Sequence, residues 1–129
     1  MKRLTNRLFV YGTLMQGQKR HFELAECGVQ LLGQARIAAR LFEIPGEDFP
    51  GAIPGPETVY GELYLMTAPR DCLRKMDEIE GCDEGLFERV LIDAYLDDHK
   101  VKAWTYFYAL PIGEAMPLSR GVFRARSRN

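Results

Sequence analysis

Arg7-Leu8-Phe9-Val10-Tyr11-Gly12-Thr13-Leu14 is a short run of β-formers that breaks at a glycine. Arg7 to Tyr11 reads as a strand, and Gly12 lets the backbone turn tightly at its end. Successive exposed N–H groups in such a turn can hold a carboxylate or an oxyanion. A plain β-turn is the alternative.

Outward from this strand, Lys19 to Cys27 reads as a short helix with Gly28 as its C-terminal stop. From Gln34 to Phe42 the pattern alternates. Ala35, Ile37, Ala39 and Leu41 share one face, and Gln34, Arg36 and Arg40 the other, as in a half-buried strand. A segment with Pro45, Pro50, Pro54 and Pro56 follows. It also holds Phe49 and Ile53, so it reads as an ordered loop covering part of the core.

Val59 to Met66 reads as a strand, and Thr67-Ala68-Pro69 as a helix start with Thr67 as cap. That helix runs to about Glu80 and stops at Gly81. Phe87 to Leu96 and Val101 to Leu110 form a hairpin across the charged turn Asp97-Asp98-His99-Lys100. Strands dominate two short helices without regular βαβ alternation. The expected fold is α+β, with a small, mixed, barrel-like sheet.

The 129 residues suit one domain spanning 1–129, with about 112–129 as a partly disordered basic tail carrying Arg120, Arg124, Arg126 and Arg128. Hydrophobic residues make up 47% and charged residues 27%, which excludes a disordered or fibrous chain. A net charge of −1 argues against dedicated nucleic-acid or membrane-surface binding, and the tail is a weak sign of an anionic partner. Three cysteines (Cys27, Cys72 and Cys82) without Cys-x-x-Cys spacing suggest a reducing cytoplasm. The apolar segment after Arg7 is too short for a signal sequence or a membrane span.

The chemistry concentrates on the second helix. At 100° per residue, Cys72, Leu73, Met76 and Ile79 form an apolar arc. Glu80 falls within it, between Met76 and Leu73, whereas Asp71, Asp77 and Glu78 fall outside. Burial disfavours a charged carboxylate, and the negative end of the helix dipole pushes the same way. A glutamate tuned toward neutrality suits general acid/base catalysis. The competing reading is a helix-end glutamate reaching water, or one paired with an arginine such as Arg89. Cys82 lacks a nearby base, since only His21 and His99 are available, and the two histidines show no metal-ligand spacing. Glu62 alternates with Tyr60 and Tyr64 and could line a cavity, or face solvent. Tyr106 and Trp104 share a strand face and could wall a pocket, with core packing as the default.

Phe9-Val10-Tyr11-Gly12-Thr13-Leu14, Gly61-Glu62-Leu63-Tyr64, and Asp77-Glu78-Ile79-Glu80-Gly81 followed by Arg89 together resemble the γ-glutamylcyclotransferase-like family, including its AIG2-like, γ-glutamylamine branch. The likeness runs from about Leu8 to Tyr108. It implies a barrel-like α+β fold and release of 5-oxoproline from a small γ-glutamyl substrate, without metal, cofactor or obligatory protein partner. Carried onto this chain, Tyr11, Gly12, Thr13 and Leu14 hold the γ-glutamyl group and Glu80 is the catalytic acid/base. Glu62, Arg89 and Tyr106 are further pocket candidates. The chain departs from the family at Phe87, where many relatives place a tyrosine. A non-catalytic binding module on the same fold is the alternative function.

Overall fold

The computed structural model describes residues 5–111, 116–117 and 121–123. The chain runs β1 (Arg7–Val10), α1 (His21–Ala25), β2 (Val29–Glu43), β3 (Pro50–Met66), α2 (Pro69–Ile79), β4 (Phe87–Leu96), β5 (His99–Tyr108) and β6 (Met116–Pro117). Five strands pair in the order β3-β1-β5-β4-β2, and β2 pairs again with β3, closing a barrel-like ring; β6 adds to the edge of β2. The β1–β5 contact is parallel and the other pairings are antiparallel, so the sheet is mixed as expected.

Strand β1 is buried on both faces, because side chains alternate across it. Phe9 faces the ring interior, together with Tyr11, Ala35, Ile37, Ala39, Leu41, Val59, Leu63 and Phe107. Leu8 and Val10 face outward into a second cluster, roofed by Cys72, Leu73 and Met76 of α2 and by Leu24 of α1. Helix α2 therefore docks by the arc its periodicity marks. Fully burying large apolar side chains such as Leu73 and Met76 contributes roughly 1.5–3 kcal/mol each. Gly81 ends the helix at φ 67°, a left-handed conformation that favours glycine.

Several local expectations change. The Pro/Gly segment is not a covering loop from Pro50 onward, because it forms the first half of β3. Pro50 is tolerated as the first strand residue. Pro54 and Pro56 fall in a wide bulge: Ile53 pairs with Arg40 and Thr58 with Ala38, so four residues oppose Ala39 alone. Their missing N–H groups break no ladder bond. Thr67 does not cap α2; its hydroxyl donates to the Gly28 carbonyl at 2.6 Å, and Ala68 holds the cap position. The β4–β5 turn is tighter than four residues, since Leu96 pairs with His99. Asp97 supplies the positive φ, 54°.

Of the basic tail, Arg120, Arg124, Arg126 and Arg128 lie outside the described residues. Within that stretch, Met116 and Pro117 pair with Glu43 and Phe42, the Gly121 carbonyl accepts the Tyr60 N–H at 2.8 Å, and Phe123 packs on the ring core. Among the described residues no helix is long and apolar enough to cross a membrane.

Candidate active site

Where β1 runs out, the chain crosses the end of the ring beneath the C-terminus of α2. A pocket of about 510 Å³, open mouth included, forms there. Its buried lining includes Tyr11, Thr13 and Leu14 after β1, Thr105 and Tyr106 on β5, and Phe87 at the start of β4. Half-buried Gly12, Arg20, Phe49, Ile79, Glu80 and Leu86 also line it.

The loop after β1 is trussed by its own backbone. The Met15 N–H donates to the Gly12 carbonyl at 3.1 Å, and the Arg20 N–H returns to the Thr13 carbonyl at 2.9 Å. His21 Nδ1 donates to the Leu14 carbonyl at 2.9 Å. The amide N–H groups of Gly12, Thr13 and Leu14 donate to no protein acceptor among the described residues. Gly12 keeps a negative φ. An added Cβ there would lie 3.0 Å from Cδ of the Pro50 ring, so a larger residue would need that ring to give by a few tenths of an ångström.

Tyr11 lines the pocket, but its hydroxyl is committed to the core. It donates to the Tyr106 carbonyl at 2.5 Å and accepts the Ala52 N–H at 3.2 Å. Burial, and secondarily the Glu80 charge, push its pKa well above the usual phenol range.

Glu80 sits at the C-terminal cap of α2, its N–H donating to the Met76 carbonyl at 2.8 Å. The cap position turns the side chain into the pocket wall beside Ile79. Burial raises its carboxyl from 4.5 to about 7, against an opposing pull from the Arg20 guanidinium. Arg89 does not pair with it. Arg89 lies 3.5 Å from Asp77 Oδ1 and 4.9 Å from the Trp104 ring centre. The Tyr106 hydroxyl donates to the same Asp77 oxygen at 2.6 Å. Tyr106 thus faces the pocket while Arg89 supports it from outside.

Glu62 lies outside the pocket lining. Its Oε1 accepts the Gln16 N–H at 2.8 Å and the Tyr64 hydroxyl at 3.0 Å, so this buried carboxylate anchors the far end of the loop after β1. Phe87 packs between Phe49, at 5.9 Å between ring centres, and Tyr108, at 5.4 Å. Burial pushes the Cys82 thiol up to about 11, with Asp77 and Glu80 adding to it, which suits a poor nucleophile. No group of three or more His, Cys, Asp or Glu placed to hold a metal occurs among the described residues.

Arg20 is the pocket residue that sequence reading missed. It stands seven residues after Thr13, and only the folding back of the loop brings it beside Glu80. No periodicity marks that return.

The chain is 32% identical over 106 residues to the gamma-L-glutamyl-butirosin B gamma-glutamyl cyclotransferase of Niallia circulans, covering 78% of this chain and 65% of that protein. It is 33% identical over 110 residues to the gamma-glutamylcyclotransferase family protein YtfP of Escherichia coli, covering 82% of this chain and 85% of the relative. The crystal structure of an aig2-like protein from Mus musculus superposes with a TM-score of 0.70 at 24% identity, over 83% of this chain and 79% of that one, and so shares its fold. Residues 8–124 match the family described as "Gamma-glutamyl cyclotransferase, AIG2-like", and the chain belongs to that family.

Proposed function

We propose that this protein releases 5-oxoproline from a γ-glutamyl amine or peptide by intramolecular aminolysis, with Glu80 as its general acid/base. The observation that carries this reading is the position of Glu80: one carboxyl poised near neutrality, in a pocket that the Tyr11–Leu14 loop also lines.

The substrate brings its own nucleophile. Glu80 takes a proton from the α-amino group, whose nitrogen attacks the γ-carbonyl carbon. The carbonyl oxygen becomes an oxyanion. As it collapses, the bond to the leaving nitrogen breaks and Glu80 returns the proton to that nitrogen. One carboxyl serves both nitrogens, and a pKa near the working pH suits both transfers. Holding the glutamyl chain folded supplies much of the rate, because intramolecular attack carries a high effective molarity. The N–H groups of Gly12, Thr13 and Leu14, which meet no acceptor among the described residues, are donors available to the oxyanion.

The test is a panel of γ-glutamyl amino acids and γ-glutamylamines incubated with the folded protein, with 5-oxoproline assayed by mass spectrometry. Release from at least one compound is expected. None across a broad panel would favour the binding-module alternative.

A further inference from the structure

Arg20 is the only cation lining the pocket among the described residues, and Glu80 the only carboxyl. Arg20 forms no ion pair or hydrogen bond through its guanidinium among the described residues. Among the other half-buried cations described, Lys75 reaches Glu23 and Glu26, Arg89 reaches Asp77, and Arg36 donates to the Asp97 carbonyl, but none of these lines the pocket. A half-buried guanidinium at a pocket that feels Glu80 but forms no hydrogen bond or ion pair among the described residues is poised for an anion from outside, and its planar fork matches a carboxylate.

We infer that Arg20 binds the α-carboxylate of the γ-glutamyl group and thereby selects α-amino-acid substrates over their decarboxylated analogues. The assignment rests on the proposed function above. In a γ-glutamyl compound the α-amino and α-carboxylate groups share one carbon, so their protein partners must be neighbours. Glu80 has to meet the amino group, and Arg20 is the cation close enough to feel its charge. The rest of the half-buried lining is apolar or neutral, at Phe49, Ile79, Leu86 and Gly12. The leaving amine therefore meets no second cation. The Arg20 backbone is fixed by its bond to Thr13, so the charge is tied to the loop that carries the free N–H donors.

The test compares γ-glutamyl-n-butylamide with 4-aminobutanoyl-n-butylamide, which lacks only the α-carboxylate and cyclises to 2-pyrrolidone. Wild-type kcat/KM is expected to favour the first by about 10- to 100-fold, the range of a charge-assisted hydrogen bond. Arg20→Gln removes the pull on Glu80 for both substrates alike, so its extra loss on the first substrate alone should equal that factor and collapse the discrimination. Arg20→Lys should recover part of it. γ-Glutamylalanine separates the two carboxylates, since Arg20→Gln should slow it and the butylamide equally. Undiminished discrimination in folded Arg20→Gln, or a loss confined to γ-glutamylalanine, would overturn the assignment while leaving the cyclotransferase reading intact. Absence of 5-oxoproline from the wild type would contradict both.

Discussion

The hydroxyl of Tyr11 donates to the backbone carbonyl of Tyr106 at 2.5 Å, so one phenol ties the start of the pocket loop to the strand that forms the pocket floor. The same oxygen accepts the Ala52 N–H, adding β3 to the junction. Tyr11→Phe keeps the ring and strands a buried carbonyl and a buried N–H. Leaving such groups unpaired costs about 1–3 kcal/mol. A lowered melting temperature in calorimetry is expected; an unchanged one would show that water or a backbone shift replaces the phenol.

Phe87 is buried between Phe49 and Tyr108 while also facing the pocket. Phe87→Ala opens a cavity next to an existing one, and stability should fall by about 3–5 kcal/mol in urea titration. A loss below 1 kcal/mol would mean that the pocket wall is already loosely packed.

Glu80 should also govern stability against pH. Its folded pKa, about 7, lies above its ordinary 4.5, so the folded state holds this proton more tightly than the unfolded chain. The group therefore weakens the fold as pH rises through 4.5 to about 7, and the full penalty remains above that range. Glu80→Gln mimics the protonated acid. Relative to wild type it should gain about 3 kcal/mol at pH 8 and nothing at pH 4. Equal urea midpoints for the two proteins at pH 8 would contradict a desolvated carboxyl at this position.

The same titration should appear in catalysis. As a base, Glu80 must be ionised in the free enzyme, so kcat/KM should rise with pH and reach half its plateau near pH 7, where Glu80 titrates. A profile measured from pH 5 to 9 checks this. A flat acid limb would assign the proton transfer to another group.

Much of this was legible in the sequence, for reasons that differ by element. Cys72, Leu73 and Met76 recur at helical spacing, so the buried face of α2 and the inward placement of Glu80 follow from 3.6 residues per turn. The Ala35–Leu41 alternation likewise fixes the inward face of β2, where all four alternating residues are buried. The first half of β3 was hidden because proline reads as a breaker. Only the pairing of Ile53 with Arg40 and Thr58 with Ala38 shows that Pro54 and Pro56 occupy a bulge. The alternation of Glu62 with Tyr60 and Tyr64 leaves it lining a cavity or facing solvent, yet it is buried outside the pocket and its carboxylate serves Gln16, a contact 46 residues away in the chain. Arg20 carried no local signal at all. Loop closure sets its position, and loop closure is a tertiary event.

The most direct test of the central claim is turnover by Glu80→Gln beside wild type, at pH 7.5, on the best γ-glutamyl substrate, with circular dichroism confirming the fold of both. The account predicts a loss of at least a hundredfold in kcat with secondary structure unchanged, because the amide keeps the shape and cannot shuttle the proton. Turnover within a few-fold of wild type would contradict the assignment of Glu80 as the acid/base.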